Sequence, residues 1–224
     1  MPKYSWDIKD ILFEEDVKAI YNLAKSQEQR VFVSELWITA GRPEEILKLK
    51  PEDFVISPDE LHITLKTLKL RKGGAFDTDT RTLKFNRPRG ENLNIYIETI
   101  IDWVLKAKPQ ADIIPYTSRW GELLINRLGE QTIGKKICPY HFRHSVLSWL
   151  AKNGASVSEL MHFKGARSIQ SVQCYLHAVP YLVKLETMDR RRIRTDPLNP
   201  DKVPQEEVKP EPVPEAKVEE TKVE

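Results

Sequence analysis

Apolar residues recur at the spacing of an α-helix over most of the chain and predict a mainly helical fold. Within residues 13–26, Val17, Ile20 and Tyr21 fall on one helical face. A short helix is expected from Pro43 to about residue 49, because proline suits the first helical position. The same apolar patterns predict further helices over residues 30–40, 93–107 and 118–128.

Alternation of apolar and polar residues marks a single region and predicts strands there. Residues 61–66 (LHITLK) alternate, and residues 81–85 (RTLKF) are expected to return antiparallel to them. Between the two lies a basic, glycine-containing loop over residues 67–80. We therefore predict an α+β fold, mostly α, with one small antiparallel β-sheet.

Three closely spaced helices are predicted in the C-terminal third of the chain. The first begins after Pro139 and ends near Lys152, before an Asn-Gly pair. The second opens with Ser156 and Glu159 in the capping-box spacing and ends at Gly165. The third starts near residue 168.

Composition changes sharply near the end of the chain and indicates two regions. Residues 196–224 contain six of the fifteen prolines and no aromatic residue, so they cannot bury enough apolar surface to offset the entropy of ordering. We predict one folded domain over residues 1–195 and a disordered acidic tail over 196–224. A partner-binding arm is the alternative for the tail.

The net charge of +2 conceals a basic body. Residues 196–224 hold nine acidic residues and four lysines, a charge of −5, which leaves +7 on residues 1–195. Such a body suggests a polyanionic partner. No run of 18 apolar residues and no secretory leader occurs, so we expect a cytoplasmic protein with no membrane partner.

Metal chemistry is not indicated. Cys138 and Cys174 fit no metal-ligand or disulfide spacing. His141 and His144, three residues apart on a predicted helix, raise the hypothesis of a zinc site, but no convincing third ligand accompanies them. We predict no metal and no other cofactor.

Arg42 lies where a helix is expected to begin, and free backbone N–H groups there favour an anion. A guanidinium at that point adds a permanently charged, bidentate donor suited to phosphate. Glu45, one turn later, can orient it. The alternative is an ordinary Arg42–Glu45 ion pair on a solvated face.

Two further segments carry candidate residues. Tyr140 and Arg143 share a face of the predicted helix after Pro139, three residues apart. Tyr175 follows a basic turn in the segment 165–177. Taken alone, such a tyrosine is most often a packing residue.

Taken together and in this order, the segments resemble the tyrosine recombinase (phage integrase) family over residues 8–185. Thr39-Ala40-Gly41-Arg42 followed by Glu45 is similar to the family's first arginine box, and Pro139-x-x-x-Arg143-His144 to its second. The segment from Gly165 to Tyr175-Leu176-His177 resembles the nucleophile box. The family keeps its catalytic lysine in the hairpin between the arginine boxes. Lys66 matches best, and Lys69 is the second candidate because the register of the long loop is open.

This chain departs from the family pattern at two positions. Tyr140 stands where a histidine is usual, a feature similar to a subgroup of archaeal plasmid and viral integrases, which are mobile elements. Ala166 stands where a histidine or tryptophan usually contacts phosphate. Either Arg167 or His162 replaces that donor, or the enzyme is weakened.

The resemblance implies a mechanism for cutting and rejoining DNA without metal or ATP. Arg42 and Arg143 would bind the scissile phosphate, with a hydrogen bond from Tyr140, and Tyr175 would attack it to leave a 3′-phosphotyrosyl link. Lys66 would protonate the leaving 5′-oxygen. The residues expected to contact DNA outside this site are Arg71, Lys72 and Arg119.

The family resemblance also implies partners. Double-stranded DNA is expected, together with self-association as a dimer or tetramer on it, in a nucleoid-associated protein. Family members usually carry an N-terminal helical clamp domain. We expect this chain to be a fragment or a naturally short member, with weak, strongly salt-dependent DNA affinity. The alternatives are a degenerate protein that only binds DNA and an activity like that of a type IB topoisomerase.

Overall fold

The computed structural model describes residues 10–70, 76–88 and 93–193. Within these ranges the side chains of residues 68–70, 76–79, 181 and 184–193 are not described. The chain divides into two compact units, residues 1–183 and 184–224. The predicted tail over 196–224, and Arg71 and Lys72, lie outside the described residues.

The described residues form an α+β fold that is mostly helical, as predicted. A three-stranded antiparallel sheet in the order β1-β2-β3 interrupts the helices after the third of them. The helices are α1 (Glu14–Leu23), α2 (Gln27–Thr39), α3 (Pro43–Ile46), α4 (Ile95–Val104), α5 (Ser118–Ile133), α6 (Pro139–Lys152), α7 (Val157–Lys164) and α8 (Gln170–Ile193), and the strands are β1 (Phe54–Ile56), β2 (Glu60–Leu70) and β3 (Phe76–Asn86).

The hairpin differs from the prediction in length. Strands β2 and β3 extend into the segment expected to be a loop, and their pairing continues to Leu70 opposite Phe76. The regular alternation of residues 61–65 changes phase at Thr67, and a basic stretch with two glycines follows, so the sequence indicated a loop where the ladder continues. The sequence also gave no sign of β1, which at three residues is too short to show an alternating pattern.

The two faces of the hairpin have different surroundings. Leu61, Ile63 and Leu65 of β2 face the core, and Arg81 of β3 is buried as well. On the other face Thr64 and Thr82 are joined by a hydrogen bond of 3.0 Å between their hydroxyls. This alternation decides which polar side chains of the hairpin lie near the helices.

Apolar side chains form two cores. The larger one joins α1, α2, α4 and α5 to the sheet. The smaller one lies among α6, α7 and α8 and consists of Ala40, Leu147, Ala151, Leu160, Val172 and Tyr175. The predicted nucleophile is therefore part of a buried apolar cluster.

Local signals at α7 act as predicted. Ser156 Oγ accepts a hydrogen bond from the backbone N–H of Glu159, whose carboxylate accepts one from the N–H of Ser156. The helix ends at Gly165, which has a φ of +63°. Among the described residues, no helix is both long enough and apolar enough to cross a membrane.

Candidate active site

Arg42 and Glu45 are paired at the start of α3. Arg42 Nη1 donates to Glu45 Oε1 at 2.6 Å, and the backbone N–H of Arg42 donates to Glu45 Oε2 at 3.0 Å. The Arg42 side chain is 32% exposed, whereas that of Glu45 is 4% exposed. The pair therefore has a buried carboxylate, and it presents the guanidinium at the surface.

Glu45 also binds the sheet, through a residue that sequence analysis missed. Arg81 of β3 donates from Nη2 to Glu45 Oε2 at 2.7 Å, and Thr67 of β2 donates to Glu45 Oε1 at 3.0 Å. Burial alone would raise the pKa of Glu45, but the hydrogen bond and charge of Arg81, together with Arg42, lower it to about 2. Glu45 is thus a permanent anion between two arginines.

Arg81 fastens the hairpin to the rest of the site. It also donates from Nη1 to Thr67 Oγ1 at 2.8 Å and from Nε to the carbonyl of Phe163 in α7 at 3.2 Å. The sequence carried one sign of this role. Arg81 lies two residues before Leu83 in the predicted strand, so both side chains point to the same face of it. A charged residue at an inward position requires a partner, and Glu45 is that partner.

Arg143 of α6 is almost completely buried, with 3% of its surface exposed. Its Nη1 donates to the carbonyl of Ala40 and its Nη2 to that of Lys164, each at 2.5 Å. Burial and the charge of Arg42 lower the pKa of Arg143 to about 10, so the guanidinium stays charged at neutral pH. Two backbone carbonyls fix it between the end of α2 and the end of α7.

Tyr175 of α8 is completely buried, and its Oη lies 3.1 Å from His144 Nδ1. Burial raises the pKa of the Tyr175 phenol well above its usual range, while the charges of Arg143 and Arg42 act in the opposite direction. Both predicted arginines therefore act electrostatically on the predicted nucleophile.

His144 is the immediate neighbour of the phenol. Burial, followed by the charges of Lys164 and Arg143, lowers the pKa of His144 to about 4. The imidazole is therefore neutral at neutral pH, and one of its nitrogens is a hydrogen-bond acceptor. The sequence pointed to His144 as a member of the second arginine box and as half of a possible zinc site, without a catalytic role. Within the described residues no group of three or more His, Cys, Asp or Glu is arranged to hold a metal ion.

Tyr140 lies in the first turn of α6 and is partly buried. Burial raises the pKa of Tyr140, Glu44 raises it further, and Arg42 and Arg143 oppose that rise. The phenol is therefore protonated at neutral pH and lies within the field of both arginines.

Lys66 does not join this cluster in the structure. Its Nζ lies 2.6 Å from Asp53 Oδ1 and 3.8 Å from Glu52 Oε1. Because side chains alternate along a strand, it lies on the face of β2 opposite Thr67. In the backbone register of the hairpin, Lys69 lies opposite Asp77.

The other predicted residues lie at the margin or outside. His162 Nε2 contacts the carbonyl of Thr82 at 3.1 Å, on β3. Arg167 is exposed in the turn between α7 and α8. Arg119 is exposed on α5 and forms an ion pair with Glu122 at 3.3 Å. The structure therefore brings Arg42, Glu45, Tyr140, Arg143 and Tyr175 together.

Comparisons with known proteins show which proteins this chain is similar to. A model of the phage integrase family matches residues 10–180. The tyrosine recombinase XerD of Staphylococcus saprophyticus is 26% identical over 189 residues, which cover 79% of this chain and 60% of that protein. This chain therefore spans about 60% of the length of that relative.

Solved structures share the fold. The XerA recombinase superimposes with a TM-score of 0.59 at 20% identity, over 84% of this chain and 67% of that one. The XerH recombinase, bound to its palindromic difH substrate in a post-cleavage complex, gives 0.58 at 15% identity, over 81% of this chain and 53% of that one. Since the family match extends over well more than half of its residues, this chain belongs to the phage integrase family.

Proposed function

We propose that this chain is the catalytic domain of a site-specific DNA recombinase that cleaves and rejoins DNA through a 3′-phosphotyrosyl intermediate. The observation that carries the proposal is the convergence of two arginines on one tyrosine. Arg42 and Arg143 come from helices about 100 residues apart in sequence, and both oppose the rise in the pKa of the Tyr175 phenol. Membership of the phage integrase family supports the same conclusion.

The two arginines would bind the scissile phosphate. A phosphodiester gains negative charge on its non-bridging oxygens as it becomes pentacovalent, and fixed guanidiniums are complementary to that state. Arg143 is held by two carbonyls, and Arg42 is held by Glu45. Both guanidiniums are thus held in place, and Arg143, which is 3% exposed, must become accessible to reach the phosphate.

Tyr175 would lose its phenolic proton as it attacks the phosphorus and displaces the 5′-oxygen, which leaves with a proton from the general acid. A phenol is a weak nucleophile while it is protonated, so positive charge nearby is required. In the tautomer of His144 whose Nδ1 is unprotonated, that nitrogen would accept the hydrogen bond from the phenol at 3.1 Å, orient its oxygen and receive its proton. Because Tyr175 is completely buried in the described structure, cleavage requires it to become accessible when DNA binds.

Lys66 would protonate the leaving 5′-oxygen, with Lys69 as the second candidate. Lys66 forms an ion pair with Asp53, and the hydrogen bond from Lys66 to Asp53 raises the pKa of the lysine. For Lys66 to act, that ion pair must break as the hairpin meets DNA.

Tyr140 would donate a hydrogen bond to the phosphate in place of the family's usual histidine. This feature is also the basis for proposing a relationship to archaeal plasmid and viral integrases. Tyr140 lies near both Arg42 and Arg143, which supports the role. It cannot readily exchange a proton at neutral pH.

Double-stranded DNA is the proposed substrate, contacted outside the site by Arg71, Lys72 and Arg119. Self-association on DNA and association with the nucleoid are part of the same proposal. They are supported by family membership and by the basic charge of residues 1–195.

Covalent trapping tests the proposal. The full chain is incubated with a nicked duplex whose site has been selected by binding from a randomised library, so that the nick prevents religation. A protein–DNA adduct should form with the wild type and be absent in Tyr175→Phe. Specific binding without adduct on any selected site would contradict the catalytic proposal.

One observation favours a second candidate, DNA binding without cleavage. Tyr175 has no exposed surface and packs in the smaller apolar core. The same trapping experiment decides between the two candidates.

The leaving-group lysine is tested separately with a substrate that carries sulfur at the 5′-bridging position. A thiolate leaves without a proton donor, so loss of the general acid is compensated there. Lys66→Ala should cleave the oxygen substrate slowly and the sulfur substrate at the wild-type rate. If Lys69→Ala shows this pattern and Lys66→Ala does not, the assignment to Lys66 is overturned.

A further inference from the structure

A third cation lies beside the nucleophile in addition to Arg42 and Arg143. Lys164 is the last residue of α7, and its Nζ lies 4.9 Å from the centroid of the Tyr175 ring. The same ammonium donates a hydrogen bond to the carbonyl of Ser171 in α8. Its backbone carbonyl accepts a hydrogen bond from Arg143 Nη2 at 2.5 Å. Lys164 is thus fixed at both its main chain and its side chain within the site.

The surroundings of Lys164 disfavour the positive charge of its ammonium. Burial lowers the pKa of Lys164, Cys174 opposes that effect, and the charges of Arg143 and Arg42 lower the pKa further. Among the described residues, no carboxylate lies within ion-pair distance of its Nζ, and Glu45 is already shared by Arg42 and Arg81. The cluster therefore carries an excess of positive charge beside the Tyr175 phenol, and a bound anion relieves that excess.

His162 and Arg167, the two candidates for the missing phosphate donor, are placed differently from Lys164. His162 is turned towards β3, where it contacts the carbonyl of Thr82. Arg167 is exposed in the turn between α7 and α8. Lys164, in contrast, perturbs His144 and is itself perturbed by both arginines.

We propose that Lys164 is a further catalytic residue, which donates hydrogen bonds to the non-bridging oxygens of the scissile phosphate beside Arg42 and Arg143. This inference rests on the proposed function. An ammonium has three donors, of which the Ser171 carbonyl takes one, and its flexible stem lets the remaining two reach an oxygen. Lys164 thereby supplies the donor that Ala166 lacks.

The rate of adduct formation on the nicked duplex tests this role. Lys164→Met keeps the aliphatic stem against the Tyr175 ring but removes the charge, and we expect a loss on the order of 100-fold in single-turnover cleavage. Lys164→Arg, which keeps a charged donor, should retain most of the activity. An equal loss in both variants would overturn the proposal.

Lys152 offers a matched control. Its Nζ also lies 4.9 Å from an aromatic centroid, that of Trp149, on α6. Lys152→Met removes the same charge and the same kind of ring contact, and it should cleave at the wild-type rate. Thermal unfolding of both methionine variants measures any effect of the lost contact on stability.

A neutral substrate separates phosphate stabilisation from a merely structural role. If a methyl group replaces one non-bridging oxygen of the scissile phosphate, the charge that Lys164 neutralises is removed. The difference in rate between the wild type and Lys164→Met should then shrink to within a few-fold. A difference as large as on the phosphodiester would overturn the proposal, because a distorted site affects both substrates equally.

The outcomes distinguish this inference from the proposed function. An adduct with the wild type that forms equally fast with Lys164→Met would overturn the role of Lys164 alone. The absence of any wild-type adduct would count against the proposed function, and with it the role of the lysine.

Discussion

The buried carboxylate of Glu45 is ion-paired with Arg42 and Arg81, so its protonation should lower the free energy of unfolding. Its pKa falls from 4.5 to about 2, so its contribution is fully present above pH 4.5 and is lost as the pH falls towards 2. A shift of this size corresponds to about 3 kcal/mol. We expect the wild-type free energy of unfolding to fall by about that much between pH 5 and pH 2 relative to Glu45→Gln.

Urea unfolding at a series of pH values measures this difference, with Glu45→Gln as the reference for all other carboxylates. The variant should also be less stable at neutral pH, because Arg81 is left buried beside an amide. Parallel pH profiles of the two proteins would contradict the assignment.

Glu35 of α2 is the opposite case, a buried carboxylate with no hydrogen-bond partner among the described residues. Burial raises its pKa from 4.5 to about 8. The folded state resists ionisation, so stability is lost as the pH rises from 4.5 to 8. At pH 7 the penalty is about 3 kcal/mol.

Glu35→Gln removes the ionisable group and keeps its shape. In urea unfolding, the free energy of unfolding of the variant minus that of the wild type should rise steadily from pH 5 to pH 8. At pH 7 it should have risen by about 3 kcal/mol. A constant difference across that range would show that Glu35 ionises as readily in the folded state as in the unfolded chain, and would contradict the raised pKa.

At the level of residues, the sequence pointed to the candidate catalytic side chains but not to the residues that hold them in place. Arg42, Arg143 and Tyr175 fall in recognisable segments, and the structure brings them together. Arg81 and Lys164 lie in no such segment, because their importance arises from contacts between β3, α3, α7 and α8 that local spacing does not encode. The placement of Lys66 on the outer face also depends on strand register, which the long hairpin left open.

Among the elements, the end of α7 has a left-handed glycine in direct contact with a side chain of the site. Gly165 has a φ of +63°, and a Cβ placed there would lie 2.7 Å from Arg81 Nη1. Gly165→Ala should therefore cost about 1 kcal/mol for the left-handed backbone and more for displacing Arg81. We expect a total loss of about 2 kcal/mol in unfolding free energy and a slower cleavage rate.

Gly134, at the end of α5, provides the control. Its φ is +66°, and a Cβ there would meet nothing within 4 Å. Gly134→Ala should lose only the backbone contribution and keep full activity. If both alanine variants behave alike, the close approach of Arg81 to Gly165 has no energetic consequence.

Helices were more predictable than the sheet for a physical reason. Capping residues, proline and glycine set helix ends locally, and α6 and α7 begin and end close to the predicted positions. Pairing of β2 with β3 is a contact between different segments, and the alternation in β2 changes phase, because Leu68 and Leu70 are out of step with Leu61, Ile63 and Leu65. The extra length of the strands was therefore not predictable from composition.

For the whole molecule, charge predicts the manner of binding. Residues 1–195 carry +7, and phosphate contacts should supply most of the affinity for DNA. With about four such contacts, the affinity of Tyr175→Phe, which binds without cleaving, should fall roughly 100-fold between 50 and 200 mM salt. Fluorescence anisotropy with a selected duplex measures this, and a nearly flat response would contradict it.

The Arg81 guanidinium contacts three separate parts of the chain, so substitutions in those parts are not independent of one another. A substitution at position 45, 67 or 165 alters what Arg81 can bind, so its effect depends on the residue present at 81. In double-mutant cycles these positions should be strongly non-additive. Among natural variants of this sequence we expect them to be inherited as a set, with single replacements rare and compensated ones tolerated.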